Sequence, residues 1–108
     1  MRSLTRKEIQ TIFATARRAL KHPGCDFLLA PRSGPEARLL VVTSRKIGNS
    51  PERNKVRRRL KAIFYENQLY NQPFDCIIIV KKPGIEIDFD TWKLLVLQTI
   101  QSYIQKYS

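Results

Sequence analysis

Arg45, Lys46, Arg53, Lys55, Arg57, Arg58, Arg59 and Lys61 crowd eight cations into one short run, against the single acid Glu52, for a local charge of +7. Arginine offers a planar fork to phosphate and lysine a point charge. Asn49 and Asn54, interleaved with them, add adaptable donors and acceptors. This is the equipment of a phosphate-backbone binder. The plainer reading of a charge run is a solvated helix face. Here, with one acid in the run, i,i+4 ion pairs cannot be its purpose. Unneutralised like charges repel, a cost that is tolerable when the partner is a polyanion.

A helix must position these groups. Gly48 marks a turn, Ser50 is the expected N-cap, Pro51 suits the first helical position and Glu52 suits the first turn. The helix is expected over residues 51–66. Val56, Leu60, Ile63 and Phe64 fall at i, i+4, i+7 and i+8, one apolar stripe for burial. Arg53, Arg57 and Lys61 flank it, Asn54 and Arg58 lie further round, and Lys55 and Arg59 face away.

Residues for self-contained catalysis are missing. His22 is the sole histidine and precedes Pro23, which predicts an exposed histidine without a function. No Ser-His-Asp or Cys-His set can be assembled around it. Glu86, Asp88 and Asp90 have a spacing that could suit a hard cation. They also precede a helix, where capping explains at least one of them. There is no phosphate-binding glycine loop. Cys25 and Cys76, the only cysteines, are expected as free, buried thiols in a reducing cytoplasm.

The order Gly48-x-x-x-x-Arg53-Asn54-x-x-Arg57-Arg58, preceded by Ser44-Arg45-Lys46-Ile47, resembles the signature of the bacterial ribonuclease P protein subunit. The family usually has Ala-Val where this chain has Ser50-Pro51, and often Arg where it has Lys55. Ser-Pro still starts a helix, and Lys55 keeps the charge. The resemblance implies that an RNA subunit holds the catalytic Mg2+ ions and cleaves precursor tRNA to give the mature 5′ end; two thiols and one histidine predict no metal bound by the protein itself. The protein would bind the catalytic RNA and the 5′ leader, screening phosphate repulsion between them. Arg45, Lys46, Gly48, Asn49, Arg53, Asn54, Lys55, Arg57, Arg58 and Lys61 are the implied RNA-binding set. Phe13 and Arg17 are the implied leader contacts, with Ile9 where the family often has a second aromatic. No membrane or small-molecule partner is expected.

Composition agrees with such a partner. The 108 residues carry a net charge of +11, with a pI of about 10.2. Residues 1–65 hold +12 and residues 66–108 hold −1. A structural nucleic-acid binder, such as a small ribosomal protein or a DNA-compacting protein, has the same charge and size. The order of the motif favours the ribonucleoprotein subunit. No apolar run approaches the ~20 residues of a membrane span, and no signal peptide is expected after Met1.

The remaining elements complete one domain over 1–108. Thr5-Arg6-Lys7-Glu8 is a capping box, and Ile9, Ile12, Phe13, Ala16 and Leu20 recur with helical spacing until Pro23-Gly24. A basic first helix is therefore expected to end near residue 21. It would place Phe13 one turn from Arg17. Phe13 is either a core residue or, beside that cation, a platform for an unpaired base. Tyr65 is a second aromatic of this kind; its plainer role is to cover the end of the basic helix. Residues 26–30 and 38–43 read as strands joined as a hairpin across a loop at 31–37, and residues 45–47 as a short third strand. After a polar connection at 67–73, the β-branched run 75–80 reads as a central strand covered on both faces. Asp88 or Asp90 should cap a last helix with Trp92, Leu95, Val96, Thr99, Ile100, Tyr103, Ile104 and Tyr107 on its buried stripe. The class is an α+β sandwich with a small mixed sheet. The resemblance implies the order α-β-β-β-α-β-α. It also implies a left-handed βαβ crossover, against the usual rule, like the second domain of a small-subunit ribosomal protein.

Overall fold

The computed structural model describes residues 5–32 and 34–107. Its elements are α1 (Arg6–Thr15), β1 (Arg17–His22), β2 (Cys25–Pro31), β3 (Leu39–Val42), α2 (Ser50–Glu66), β4 (Phe74–Val80) and α3 (Phe89–Tyr107). Short 3-10 turns at Leu69–Asn71 and Lys82–Glu86 flank β4. The order α-β-β-β-α-β-α holds. The strands form one mixed sheet in the order β1-β2-β4-β3. β4 is central, as its unbroken apolar run predicts. It runs antiparallel to β2, with Phe27 opposite Ile78, and parallel to β3, with Leu39 opposite Cys76.

The two faces of the sheet are unequal. On one, Cys25, Phe27, Leu29, Leu39, Cys76, Ile78 and Val80 meet Val56, Leu60, Ile63 and Phe64 of α2 and Trp92, Val96 and Ile100 of α3. Each large apolar side chain fully buried there contributes about 1.5–3 kcal/mol. On the other face Ile12 of α1 packs on Ala30 and Ile77, and Leu28, Leu40, Val42 and Ile79 remain half-buried. One short helix covers that face, so part of it stays open.

Three local expectations fail. First, α1 stops at Thr15, not near residue 21, and Arg17–His22 is a strand. The Thr15 hydroxyl turns back onto the carbonyls of Thr11 and Ile12, at 3.3 and 3.4 Å, and Ala16 is already extended. Arg17–His22 then gains a ladder with β2, broken only by a bulge at Ala19, which outweighs its helical spacing. Pro23-Gly24 thus forms the two-residue turn of a β1–β2 hairpin, with His22 opposite Cys25. Second, β2 and β3 are not a hairpin, because β4 lies between them. Third, residues 45–47 turn and add no strand; a tight exit from β3 is what lets the chain enter α2.

His22 is half-buried, not exposed. Its Nδ1 accepts from Gly24 N at 2.9 Å, and its carbonyl accepts from Lys81 Nζ at 3.0 Å. The hairpin turn presses on the segment after β4. Gly24 O accepts from Lys81 N at 2.9 Å, and a Cβ on Gly84 would run into that same carbonyl oxygen. Two backbones approach so closely here that glycine is required.

At the other end of the sheet Asp75, 1% exposed, accepts from Arg38 N at 2.8 Å and fixes the chain entering β3. Burial raises its pKa, against the opposing Arg38 N–H and the Arg38 and Arg32 charges. Asp88 is the cap of α3: its Oδ1 accepts from Thr91 N at 3.0 Å, and those Thr91 bonds lower its pKa. Trp92 is fully buried, while Ile104, expected on the buried stripe, is 36% exposed near the helix end. Tyr107 and Ser33 lie outside the described side chains. Cys25 and Cys76 are free and buried. Burial, helped by the neighbouring Asp26 and Asp75 charges, pushes their thiols up to about 11 and about 12, so both stay protonated near neutrality.

Candidate nucleic-acid interface

The entry to α2 is built by a capping box one residue earlier than expected. Asn49, not Ser50, is the N-cap: its backbone is extended, and its side chain accepts from Glu52 N at 2.9 Å. Glu52 Oε1 returns the bond, accepting from Asn49 N at 2.9 Å. Two orphan donors of the helix start are thereby satisfied. Ser50 is already helical, and its hydroxyl accepts from Arg53 Nη2 at 3.0 Å. A Cβ at Gly48 would sit 3.0 Å from Glu52 Oε1, so the bare glycine lets the capping carboxylate close. Pro51 stands in the first turn as expected.

Burial of Val56, Leu60, Ile63 and Phe64 then fixes the rotation of α2. Ser50, Pro51, Asn54, Arg57, Arg58 and Lys61 come together along one shallow, solvent-open depression. Arg53 lies beside it, held back by Ser50 and by a 3.4 Å bond from its Nε to Asn49 O. Arg45 and Lys46 stand exposed in the turn before the helix. Lys55 is exposed but points to another side of α2, so the structure does not gather it with the rest. Arg59 serves the fold instead, since its Nη1 donates to Ile87 O at 2.8 Å and braces α2 against the approach to α3. No carboxylate lines the depression. Phosphates are what this open, cationic trough can accept, through long side chains from water.

The leader candidates separate. Ile9 is half-buried on α1, and Phe13 is 41% exposed, so Phe13 is not a core residue. Arg17 is not one turn from it on a helix. It lies on β1 opposite Leu29, on the face that α2 and α3 cover, where it helps line a depression with Pro31 and Tyr103. Two other cations of the same stretch face the opposite way. Arg18 pairs with Leu28 and Lys21 with Asp26, which places both on the open face of the sheet. The signal that could have found them was Pro23-Gly24 read as a hairpin turn. The open face therefore has an apolar floor of Leu28, Leu40, Val42 and Ile79, with Arg18 and Lys21 beside it on β1.

The acids near these surfaces are mostly engaged. Glu8 pairs with Arg38, and Asp26 with Lys81 at 3.0 Å. Glu86, Asp88 and Asp90 are not gathered into a site. Among the described residues no group of three His, Cys, Asp or Glu side chains is placed to hold a metal ion. No described helix is long and apolar enough to cross a membrane.

The family model described as Ribonuclease P matches residues 1–104. The chain belongs to the ribonuclease P protein family. It is 30% identical to the ribonuclease P protein component of Bacillus pumilus over 88 residues, 81% of this chain and 74% of that protein. It is 35% identical to that of Mycoplasmopsis synoviae over 60 residues, 56% of this chain and 53% of that protein, so this match spans about half the relative's length. The solved ribonuclease P protein of Thermotoga maritima, in complex with 1-(4-fluorophenyl)-2-thiourea, superposes with a TM-score of 0.74 at 27% identity. That superposition covers 90% of this chain and 94% of that one. The strands that the periodicity misplaced here, β1 above all, thus belong to a fold shared with a ribonuclease P protein of known structure.

Within this ribonuclease P family protein, the cap assignment can be checked directly. Asn49→Ala should cost about 0.5–2 kcal/mol of stability, because it removes the acceptor for Glu52 N. Ser50→Ala should cost far less. Urea denaturation of both variants decides; the reverse order would return the cap to Ser50.

Proposed function

We propose that this protein is the protein subunit of a cytoplasmic ribonuclease P, in which it binds the catalytic RNA and the 5′ leader of precursor tRNA. The observation that carries the reading is the carboxylate-free trough of Asn54, Arg57, Arg58 and Lys61 on a helix whose opposite stripe is buried. Together with Arg45, Lys46, Gly48, Asn49 and Arg53, this surface holds backbone phosphates of the RNA subunit. Its cations lower the repulsion between two polyanions that must approach each other. Lys55 extends the charge around the helix without joining the trough.

Endonucleolytic cleavage, giving the mature tRNA 5′ end, belongs to the RNA with its Mg2+. The reading is supported by the sequence, whose single histidine, His22, leaves no Ser-His-Asp or Cys-His set to assemble. The leader lies on the open side of the sheet. Phe13 offers a stacking face there, and Ile9 lies one turn earlier on the same helix. Arg17 points to the other face, so it can meet the leader only at the sheet edge; Arg18 and Lys21 are better placed for leader phosphates.

The experiment that tests the reading is cleavage of precursor tRNA in Mg2+ with and without a bacterial ribonuclease P RNA. The protein should accelerate site-specific cleavage by the RNA and show none by itself. Multiple-turnover cleavage at the mature 5′ end by RNA-free protein would overturn it. Co-purification with ribosomes, and not with one large structured RNA, would favour a ribosomal role.

In the reconstituted complex, Arg57→Ala and Arg58→Ala should each weaken assembly with the RNA. Each should also flatten the plot of log K against log salt, by roughly 0.7–0.9 for every phosphate no longer held. Melting temperature should barely move, because neither side chain is on the buried stripe. Unchanged affinity and slope in both variants would remove α2 as the RNA surface.

Phe13→Leu keeps an apolar side chain but loses the stacking face, worth about 1–3 kcal/mol per base. Affinity of the holoenzyme for leader-bearing tRNA should fall by that amount, and affinity for mature tRNA should stay level. Equal loss for both RNAs would place leader recognition elsewhere.

A further inference from the structure

Where the basic trough of α2 runs out, an aromatic cleft begins. Tyr65 follows Lys61 by four residues, about 6 Å along the axis, so it continues the same flank. The residue is 42% exposed. It meets the buried Phe64 ring edge-on, with centroids 5.8 Å apart at 86°, and inclines toward Tyr70 at 6.0 Å and 38°. Phe64 already closes the core beneath, so the end of the helix is sealed without Tyr65.

Pro35, Glu36, Ala37 and Arg38 form the facing wall, and the two walls enclose an open cleft of about 430 Å³. That volume lies within the ~300–1,000 Å³ of ordinary small-ligand sites. The walls are tied together. Ala37 N donates to Tyr70 O at 2.8 Å, and the facing wall is anchored to β4 where Arg38 N donates to Asp75 Oδ1 at 2.8 Å. The Arg38 guanidinium is paired with Glu8, so its charge is already answered. What lines the cleft is largely aromatic, Phe64, Tyr65 and Tyr70, with Glu36 on the facing wall. Such a surface suits a planar, uncharged heterocycle better than a phosphate.

We propose that this cleft is a nucleobase site, taking one unpaired base of an RNA strand whose phosphates lie along Arg58 and Lys61. The inference rests on the phosphate surface proposed for α2 and adds a second kind of contact to it. A phosphate held at Lys61 leaves an adjoining base one helical turn from the Tyr65 ring. The base stacks on a tyrosine face, and Glu36 is available to its edge. The site is separate from Phe13, which lies on α1.

The test titrates the full chain with single-stranded hexaadenylate, read by NMR at the tyrosine rings, with an abasic hexamer of the same charge as control. Tyr65→Phe assigns the Tyr65 resonances and keeps the ring. Hexaadenylate should move the ring resonances of Tyr65 and Tyr70 upfield, and the abasic hexamer should not. Tyr65→Leu should weaken hexaadenylate binding about 5- to 140-fold, the equivalent of ~1–3 kcal/mol per stacked base at about 1.4 kcal/mol per tenfold. Its salt slope should stay that of the parent, and Tyr65→Phe should bind within about twofold of it. Unmoved rings at saturation, equal shifts with the abasic hexamer, or parental affinity in Tyr65→Leu would each overturn the cleft. Arg58→Ala, measured beside them, separates the two levels. A flatter salt slope with unmoved rings defeats the cleft and leaves the phosphate surface standing. An unchanged slope defeats the phosphate surface itself.

Discussion

The parallel pairing of β3 with β4 is the constraint on which the rest of the molecule depends. Two adjacent parallel strands cannot be joined by a tight turn; the chain must travel back the length of the sheet, and a helix is the usual way to do so. In this protein that obligatory crossover is α2, the most cationic stretch of the sequence. The helix cannot rotate freely, because Val56, Leu60, Ile63 and Phe64 are locked into the core. The strand pairing therefore decides which cations face solvent together. Asn54, Arg57, Arg58 and Lys61 share one side as a consequence of packing on the other.

Much of this is readable from residues alone. β4 and α2 are, because an unbroken β-branched run and a 3.6-residue apolar stripe are strong local signals. The rotation of α2 follows from the stripe, and with it most of the candidate surface. The expected cap is off by one position: Asn49 and Ser50 are both good caps, and only the reciprocal bonds with Glu52 distinguish them. β1 is illegible for a deeper reason. Arg17–His22 has few apolar residues and a spacing that also fits a helix. Its identity comes from β2, which it pairs with, and from the bulge between Arg18 and Leu20. Pairing of that kind is a tertiary fact. The same holds for β3, whose partner lies more than thirty residues away in sequence.

The asymmetry of the sheet completes the picture. One face carries the core and its two long helices, and the other carries a single ten-residue helix. A protein of this size must bury most of its apolar surface to be stable. Leaving Leu28, Leu40, Val42 and Ile79 half-covered is possible because α2 and α3 seal the opposite side so fully. The open face and the α2 trough are thus products of one division of labour within the fold.

The capping box at the start of α2 has a consequence for how anions are held. A helix N-terminus is ordinarily a rigid anion seat, made of backbone N–H groups at fixed spacing. Here Asn49 already takes the N–H of Glu52, and the Glu52 carboxylate stands over the first turn as a resident anion. An incoming phosphate meets side chains on long stems, not the main chain. Such stems lose rotamer freedom on binding, at about 0.5–1.5 kcal/mol each, and they follow a backbone whose shape varies. If the proposed RNA partner docks here, that geometry trades grip on each charge for tolerance of an irregularly folded polyanion.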